Sequence, residues 1–571
     1  MFKVRGVICD IELAYENNHR LILDPRRNAR VIKRWERAHG AEYVKFRLEL
    51  FDETGILPFP GADFDVKEVG DYKTVFGPHI YSGSICYTSR SVANLSKALT
   101  RITSKRFLDV PGLCDQLRMN QDLNFRVDGP GEFSRMYGRY IAHLCFLIRT
   151  DIHKLGTFGD SLREAAYKLH DKRKARIQAY TDLENKAVLA LYDLFMKCIT
   201  GKVKCPENAK TGKYPRMVGD YTCPGSLLGS ALMEYIKKCH EGWYRPTTDN
   251  LQTCFVKSAD RSTLVSCYVE LWNCPQFTGV YHSDDMCVSI PCTDGVLRMN
   301  LDIKSCDASN GSRVFDLLVS LCEGTSWLEV AKGLRDQCMH ELKIQNPFTK
   351  DDVLYLSNNG EPIEFSGTTL TTELNNLASQ AILMSIYIGS LGKSKAEALD
   401  VIPLSAQSVG YQVSVELVEK LEDFQFLKTS PFLVNGSMDC FLNLGVVFRC
   451  IGSCDGDLPG RGDIEARAEQ RNGQIVAGMI HAGDNCVMSA LRGRFPLIGG
   501  DKKPVHWLVD GMTGFEESRV DMDVLCRRYN VGSAEIEYFM TVLGGAKCGD
   551  VVRTAFTDAV YAKDYGYSFS D

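Results

Sequence analysis

Between Thr278 and Gly311 the chain reads TGVYHSDDMCVSIPCTDGVLRMNLDIKSCDASNG, and its apolar residues alternate in short runs separated by polar pairs. That pattern predicts strands. GVYH and MCVSI flank Ser283-Asp284-Asp285, which puts the acids at a hairpin tip. Thr293-Asp294-Gly295 supplies an Asp-Gly turn, and VLRMNLDI reads as the next strand. Asp302 then falls near a strand end beside the tip. Carboxylates converging from neighbouring strands repel unless a cation lies between them, and a hard ion such as Mg²⁺ is the usual partner for oxygen ligands. Two such ions can activate an attacking hydroxyl and stabilise a leaving oxygen in phosphoryl transfer. Aspartates are also common in turns, so this stretch alone leaves a plain structural reading open.

Composition narrows the alternatives. With 571 residues, 44% hydrophobic and 24% charged, the chain is globular and long enough for several sub-cores. It contains no 18-residue uncharged apolar run, and MFKVRGVICDIELAYENN lacks the succession of a signal peptide, so an intracellular protein with no transmembrane segment is expected. The 22 cysteines show no paired metal spacing, and Cys450-Ile-Gly-Ser-Cys454 has no partner motif; reduced, buried thiols are expected. The net charge of −5 argues against a uniformly basic nucleic-acid coat but leaves room for a local basic channel. PRRNARVIKRWERAHG and HDKRKARIQAY are read first as solvated helix faces, with RNA backbone contact as the alternative. CDGDLPGRGD, Cys454 to Asp463, reads as a loop whose Arg-Gly-Asp triplet is coincidental.

A second segment changes the weight of the first. FSGTTLTTELNNLASQAILMSI opens on the flexible pair Ser366-Gly367 and continues into a predicted helix with Leu374, Leu377, Ala378, Ala381 and Ile382 on its apolar face and Thr371 and Asn375 on its polar face. Together the segments resemble the viral RNA-dependent RNA polymerases: Asp302-x4-Asp307 is similar to motif A, Ser366-Gly367-x3-Thr371-x3-Asn375 to motif B, and Ser283-Asp284-Asp285 to motif C. The resemblance implies that Asp302 and Asp284 hold two Mg²⁺ ions, with Mn²⁺ able to substitute, and that Asp285 is an auxiliary carboxylate. It implies that Asp307 and Asn375 sense the ribose 2′-hydroxyl, and that Ser366 and Gly367 form a mobile loop at the template and nucleotide. ENAKTGKYPRMVGDYTCPGSLLGSALMEYIKKC resembles motif F, with Lys210, Lys213 and Arg216 facing triphosphate. Gly410-Tyr411 resembles the opening of motif D, Phe426-Leu427-Lys428 stands in a primer-grip position, and Lys420 is the weaker candidate for the acid that protonates pyrophosphate.

The order of these motifs is unusual, since the acidic hairpin precedes A. It resembles the permuted palm, with motif order C-A-B, of permutotetravirus and birnavirus polymerases, and the 18 residues from Asp284 to Asp302 suffice for one strand, a turn and the next strand. The rival is Gly483-Asp484-Asn485, which would restore the usual order but lies 118 residues after Ser366, beyond the D-like and E-like segments. A reverse transcriptase is disfavoured because Tyr281 stands three residues before Asp284 and because Asp307 with Asn375 would welcome a 2′-hydroxyl. A silent RNA-binding virion scaffold is disfavoured because buried carboxylates without a metal are costly. The expected fold is an α+β right hand with an antiparallel palm sheet: N-terminal extension and fingers over 1–200, fingers over 201–277, palm over 278–432 and thumb over 433–571. RNA template and product, ribonucleoside triphosphates and other viral replication or capsid proteins are the partners the resemblance implies, in the host cytoplasm or virion interior.

Overall fold

A computed structural model describes residues 21–54, 58–60, 66–69, 75–76, 86–89, 131–156, 199–203, 217–220, 225–304, 306–345, 351–358, 360–452, 463–501, 512–548 and 550–566. Lys210, Lys213 and Arg216 lie outside the described residues, as does the basic stretch around Lys172 to Arg176.

A six-stranded sheet organises the rest. Its strands are β1 (Gly242–Tyr244), β2 (Leu251–Phe255), β3 (Phe277–His282), β4 (Asp285–Cys292), β5 (Gly295–Ile303) and β6 (Val413–Leu417), in the spatial order β6-β5-β4-β3-β2-β1. β3, β4 and β5 fall where the alternation places them. β4 is buried on both faces from Met286 to Ile290, as befits a strand inside the sheet. The antiparallel sheet expected from the resemblance is in fact mixed, because β2 and β3 run parallel. The cause is the helix Arg261–Asn273 between them, a crossover of the kind a parallel pair requires. The sheet also draws in Gly242–Phe255, ahead of the palm start expected at residue 278. A second, five-stranded sheet joins Ile22–Leu23, Val353–Ser357, Leu342–Gln345, Ile199–Val203 and Met217–Asp220.

Helices α1 (Glu132–Asp151), α2 (Gly225–His240), α3 (Arg261–Asn273), α4 (Thr371–Ser390), α5 (Lys395–Ser408), α6 (Met522–Tyr529) and α7 (Ala555–Tyr565) position the site. One apolar cluster joins α1, α2, α4 and α5 to Met286, Val288, Met299 and Leu301 of the sheet. The other joins α3, Val280 and Cys287 to α6, α7 and the C-terminal region without a break at residue 433. The predicted two-faced helix at α4 is buried nearly all round: Glu373, Asn375, Asn376, Ser379 and Gln380 are as enclosed as Leu374 and Ile382. Its polar residues therefore face protein, where each needs a partner. Arg27 pairs with Glu341 and Arg34 with Asp352, so part of the N-terminal basic segment is committed to acids within the fold. Among the described residues every cysteine is a free thiol, and no helix is long and apolar enough to cross a membrane.

Gly279 of β3 packs tightly against α4: a Cβ there would stand 2.9 Å from Leu383 Cδ1 and 3.0 Å from Cδ2. Gly279→Ala is expected to destabilise the protein by about 1–3 kcal/mol, the usual cost of overpacking a close-packed core. The cost should shrink in a Leu383→Ala background. Denaturant unfolding of the parent, the two single variants and the double variant checks both expectations.

Candidate active site

The acidic hairpin tip is a two-residue turn, Ser283-Asp284, between β3 and β4. Ser283 takes a left-handed φ of +57°, unusual for a residue with a Cβ, so something must hold it. That something is α4. Asn376 Oδ1 accepts from the Ser283 backbone N–H at 2.8 Å, and the Ser379 hydroxyl donates to the Ser283 carbonyl. Asn376 is fixed in turn by Glu373, whose Oε1 accepts from its amide at 3.1 Å. The other oxygen of Glu373 meets His240 Nδ1 at 3.1 Å, and His240 Nε2 meets the Tyr281 hydroxyl at 2.8 Å and the Tyr140 hydroxyl. A buried polar chain from α1 and α2 thus ends on the backbone of the turn.

Beyond the turn, Asp285 opens β4 directly opposite Asp302, the penultimate residue of β5. Paired residues of antiparallel strands share a face, with Cβ atoms about 5 Å apart. Burial pushes the Asp285 carboxyl up to about 7, and the Asp284 and Asp302 charges push the same way; Lys428 and the Leu427 N–H, 2.8 Å from Asp285 Oδ2, oppose them. Across the next pairing, Asp302 stands opposite Ser414 of β6.

Asp307 sits on the single helical turn Cys306–Ser309 just past β5. Its Oδ1 accepts from Asn375 Nδ2 at 2.9 Å and its Oδ2 from the Ser366 hydroxyl. Asn375 also donates to Ser283 Oγ at 3.0 Å, and its carbonyl accepts from Asn310 Nδ2 at 2.7 Å and Cys306 Sγ at 3.1 Å. Both its donors and both its lone pairs are therefore engaged. The three segments likened to motifs C, A and B meet at this one side chain. Gly367 follows Ser366 with φ +100°, and the Ser366 carbonyl accepts from Gly219 N–H at 3.0 Å, in the strand that begins one residue after Arg216. Thr371 opens α4, its hydroxyl toward the buried Glu364 carboxyl.

Several members of this cluster escaped sequence reasoning. Asn310, which reads as a turn residue before Gly311, donates to Glu364 Oε2 at 2.7 Å and accepts from the Tyr411 hydroxyl at 2.7 Å. Glu364 is fully buried, and burial, with the Asp307 charge behind it, holds its carboxyl well above the ordinary carboxylate range against the opposing Asn310 amide and Thr371 hydroxyl. Its carboxyl is thus harder to ionise than an ordinary glutamate. A carboxylate two residues before Ser-Gly was its only trace in the sequence.

Lys420 is not brought to this group. It is extended rather than helical, with φ −125° and ψ 160°, and lies beyond Leu417, whose register partner Met299 is three residues back along β5 from Asp302. The cation beside Asp285 is Lys428. Gly483-Asp484-Asn485 has structural employment elsewhere. Asp484 bridges to Arg519 in backbone pairing and approaches the Arg492 and Arg519 guanidinium groups at 3.5 and 3.7 Å, while Asn485 caps a helix through Met488 N–H at 2.9 Å.

Among the described residues no three His, Cys, Asp or Glu side chains close around a common ion position. Asp284, Asp285 and Asp302 instead form an open set of hard oxygen donors at adjoining strand ends. Such a set suits Mg²⁺ or Mn²⁺, whose coordination is completed by water and phosphate oxygens.

No protein-family model matches the chain, and no curated protein matches it. Among solved structures it is similar to the X-ray structure of the birnavirus VP1-VP3 complex, at 11% identity and a TM-score of 0.35, over 98% of this chain and 87% of that one. It is likewise similar to the RNA polymerase VP1 from Infectious Pancreatic Necrosis Virus, at 11% identity and a TM-score of 0.34, over 96% of this chain and 85% of that one. The chain thus resembles birnavirus polymerases over most of its length, at low identity and loose superposition. A likeness at that level decides nothing about chemistry, which rests on the site itself.

The Asp285 carboxyl generates a pH prediction for the metal-free protein. Its folded value of about 7 exceeds its ordinary 3.8, so the folded state holds this proton more tightly than the unfolded chain. That contribution to stability is full below about pH 4 and is lost as pH rises through about 7. Asp285→Asn, whose carbonyl can still accept from Leu427, should therefore be more stable than the parent at pH 8, by at most about 4 kcal/mol because the site keeps partial solvent access. The advantage should vanish toward pH 4, as urea unfolding in chelator across that range would measure.

Proposed function

We propose that this chain is a viral RNA-dependent RNA polymerase that joins ribonucleotides by two-metal phosphoryl transfer. The observation that carries the reading is the opposition of Asp285 and Asp302 across β4 and β5, with Asp284 in the adjoining turn and the Asp307-Asn375-Ser366 cluster beside it. Asp284 and Asp302 would hold the ions, with Asp285 in support. When bound, Mg²⁺ would supply activation of the attacking hydroxyl and charge stabilisation at the leaving oxygen.

The chain's own residues do the remaining work. Asp307 and Asn375 orient the incoming ribose, since a 2′-hydroxyl both donates and accepts hydrogen bonds. Each Asp307 oxygen already accepts one hydrogen bond within the protein, and in this reading the sugar enters by replacing one of those partners. Ser366 is the replaceable one: it precedes a glycine in a loop, whereas Asn375 is locked in α4. Lys210, Lys213 and Arg216 are proposed to meet the triphosphate. Lys420 as proton donor gains no support from its position, while Lys428 stands near Asp285.

The motif order that this reading requires is permuted, C-A-B, because the carboxylates opposite Asp302 come from the preceding hairpin and Asp484 is engaged by arginines. RNA template and product, ribonucleoside triphosphates, other viral replication or capsid proteins, and action in host cytoplasm or virion belong to the same proposal. One similar structure is itself a complex of VP1 with VP3.

Template-dependent nucleotide incorporation by purified protein with Mg²⁺ or Mn²⁺ tests the reading. Asp302→Ala and Asp284→Ala should each lose incorporation while keeping RNA affinity, and Asp484→Asn should stay near normal. An active Asp284→Ala together with a dead Asp484→Asn would overturn the permuted assignment. Asp307→Ala should reduce discrimination of ribo- over deoxyribonucleotides by a factor corresponding to about 1–3 kcal/mol, the scale of a buried hydrogen bond left unmade. Competition between the two nucleotide types measures it.

A further inference from the structure

The turn that carries the Leu427 N–H to Asp285 is strained. Leu427 and Lys428 both occupy left-handed φ, +49° and +60°, although neither is glycine, asparagine or aspartate. Two successive residues of this kind persist only where the surroundings over-determine them. Locally the turn is closed by a reciprocal pair between Phe426 and Thr429, with N···O distances of 3.1 and 2.9 Å. Around it, the Tyr268 hydroxyl donates to the Thr429 carbonyl at 2.9 Å and Asn443 N–H to the Lys428 carbonyl at 2.9 Å, and a further hold comes from the far end of the chain.

Arg528 of α6 and Asp564 of α7 form an ion pair at 2.9 Å with both side chains fully buried. Arg528 Nη1 donates to the carbonyls of Glu422 at 2.9 Å and Asp423 at 3.3 Å, and Nη2 donates to Gln425 Oε1 at 2.6 Å. The Asp564 carboxylate also accepts from Gly445 N–H at 2.8 Å and the Tyr529 hydroxyl at 3.1 Å. Its backbone carbonyl accepts from Gln425 Nε2 at 3.2 Å and Lys428 Nζ at 3.3 Å. On the other side, Gln425 N–H donates at 3.0 Å to Asn300 Oδ1, two residues before Asp302 on β5. The pair is therefore bonded to the segment entering the strained turn and, through Gln425, to the strand that carries Asp302.

We propose that Arg528 and Asp564 are positioning residues: through Gln425 they clamp the Gln425–Lys428 turn in its left-handed form, so that the Leu427 N–H and Lys428 are presented to Asp285 of the metal-holding set. The catalytic role of Asp285 rests on the polymerase reading; the clamp itself does not. A buried ion pair is weak evidence of stability by itself, since desolvation offsets its attraction. Its bonds to one strained turn give it a specific task.

The test uses full-length protein and two readouts. Gln425→Met preserves the ion pair and side-chain length but removes both Gln425 side-chain links to the pair, leaving that of Lys428 Nζ, and Asp564→Asn weakens the pair itself. Hydrogen exchange of peptides covering Phe424–Thr429 should quicken in both variants by at least about tenfold while β3 and β4 peptides stay protected, since local opening free energies are separable across a fold. Incorporation assays should show kcat reduced by at least about tenfold with the nucleotide KM within about twofold, the signature of lost positioning rather than lost binding. Unchanged exchange in Gln425→Met, which does not disturb the buried charges, would overturn the clamp. Faster exchange with an unchanged kcat would overturn the positioning role. If Asp564→Asn does not fold, Gln425→Met decides alone. An inactive parent with the expected exchange pattern would count against the polymerase reading and leave the clamp standing.

Discussion

Two carboxylates held opposite one another on adjacent strands repel, and the burial of the Asp285 carboxyl makes a charge there expensive. The surroundings of Asp285 and Asp302 answer this constraint. The Leu427 N–H and the Lys428 charge lower the cost on one side, and the Ser283 turn fixes where Asp284 can reach on the other. Each answer creates a further demand. The turn at Leu427-Lys428 has left-handed strain of its own, and the turn at Ser283 needs backbone partners inside α4. That helix therefore carries asparagine, serine and glutamate where an ordinary buried helix would carry leucine.

The polar interior that results is densely connected around Asn375 and Asp307. Asn375 has its donors and lone pairs engaged, and Asp307 has each oxygen engaged, so both side chains are held by neighbours rather than by rotamer preference. Fully satisfied buried networks are stiff, because losing any one bond leaves a polar atom stranded in low dielectric. Stiffness is confined to the parts on helix and strand. Ser366, followed by a glycine, sits on the one contact to Asp307 that comes from a loop.

Much of this was legible in the sequence because it is local. The alternation of GVYH and MCVSI fixed β3 and β4 to within a residue or two, the Asp-Gly pair marked the next turn, and the spacing of Ser366, Thr371 and Asn375 placed them on a loop and the first turns of one helix. What was not legible is tertiary. Nothing near Asn376 announces that it, one residue past Asn375, would hold the Ser283 amide. Glu364 resembles any loop acid until the fold buries it. The parallel pairing of β2 with β3 is set by the crossover helix between them, and neither strand's own residues distinguish a parallel from an antiparallel neighbour. Lys420 is the lysine that the likeness to motif D offers, at a looser spacing from Gly410 than the likeness implies. The chain runs away from Asp302 along β6 and returns to β5 at Asp423 and Gln425.

The clamp on the Leu427-Lys428 turn also has a consequence for the order in which the protein becomes competent during synthesis. The strands bearing Asp285 and Asp302 emerge together and can pair at once, yet Asp564 follows Asp285 by 279 residues. At roughly 5–20 residues per second, the ribosome needs on the order of 14–56 s to bridge that interval. Throughout it the nascent chain has its acidic hairpin but not the helix that holds the neighbouring turn. The site would then mature last, so that a partly made polypeptide carries the carboxylates without the geometry to use them.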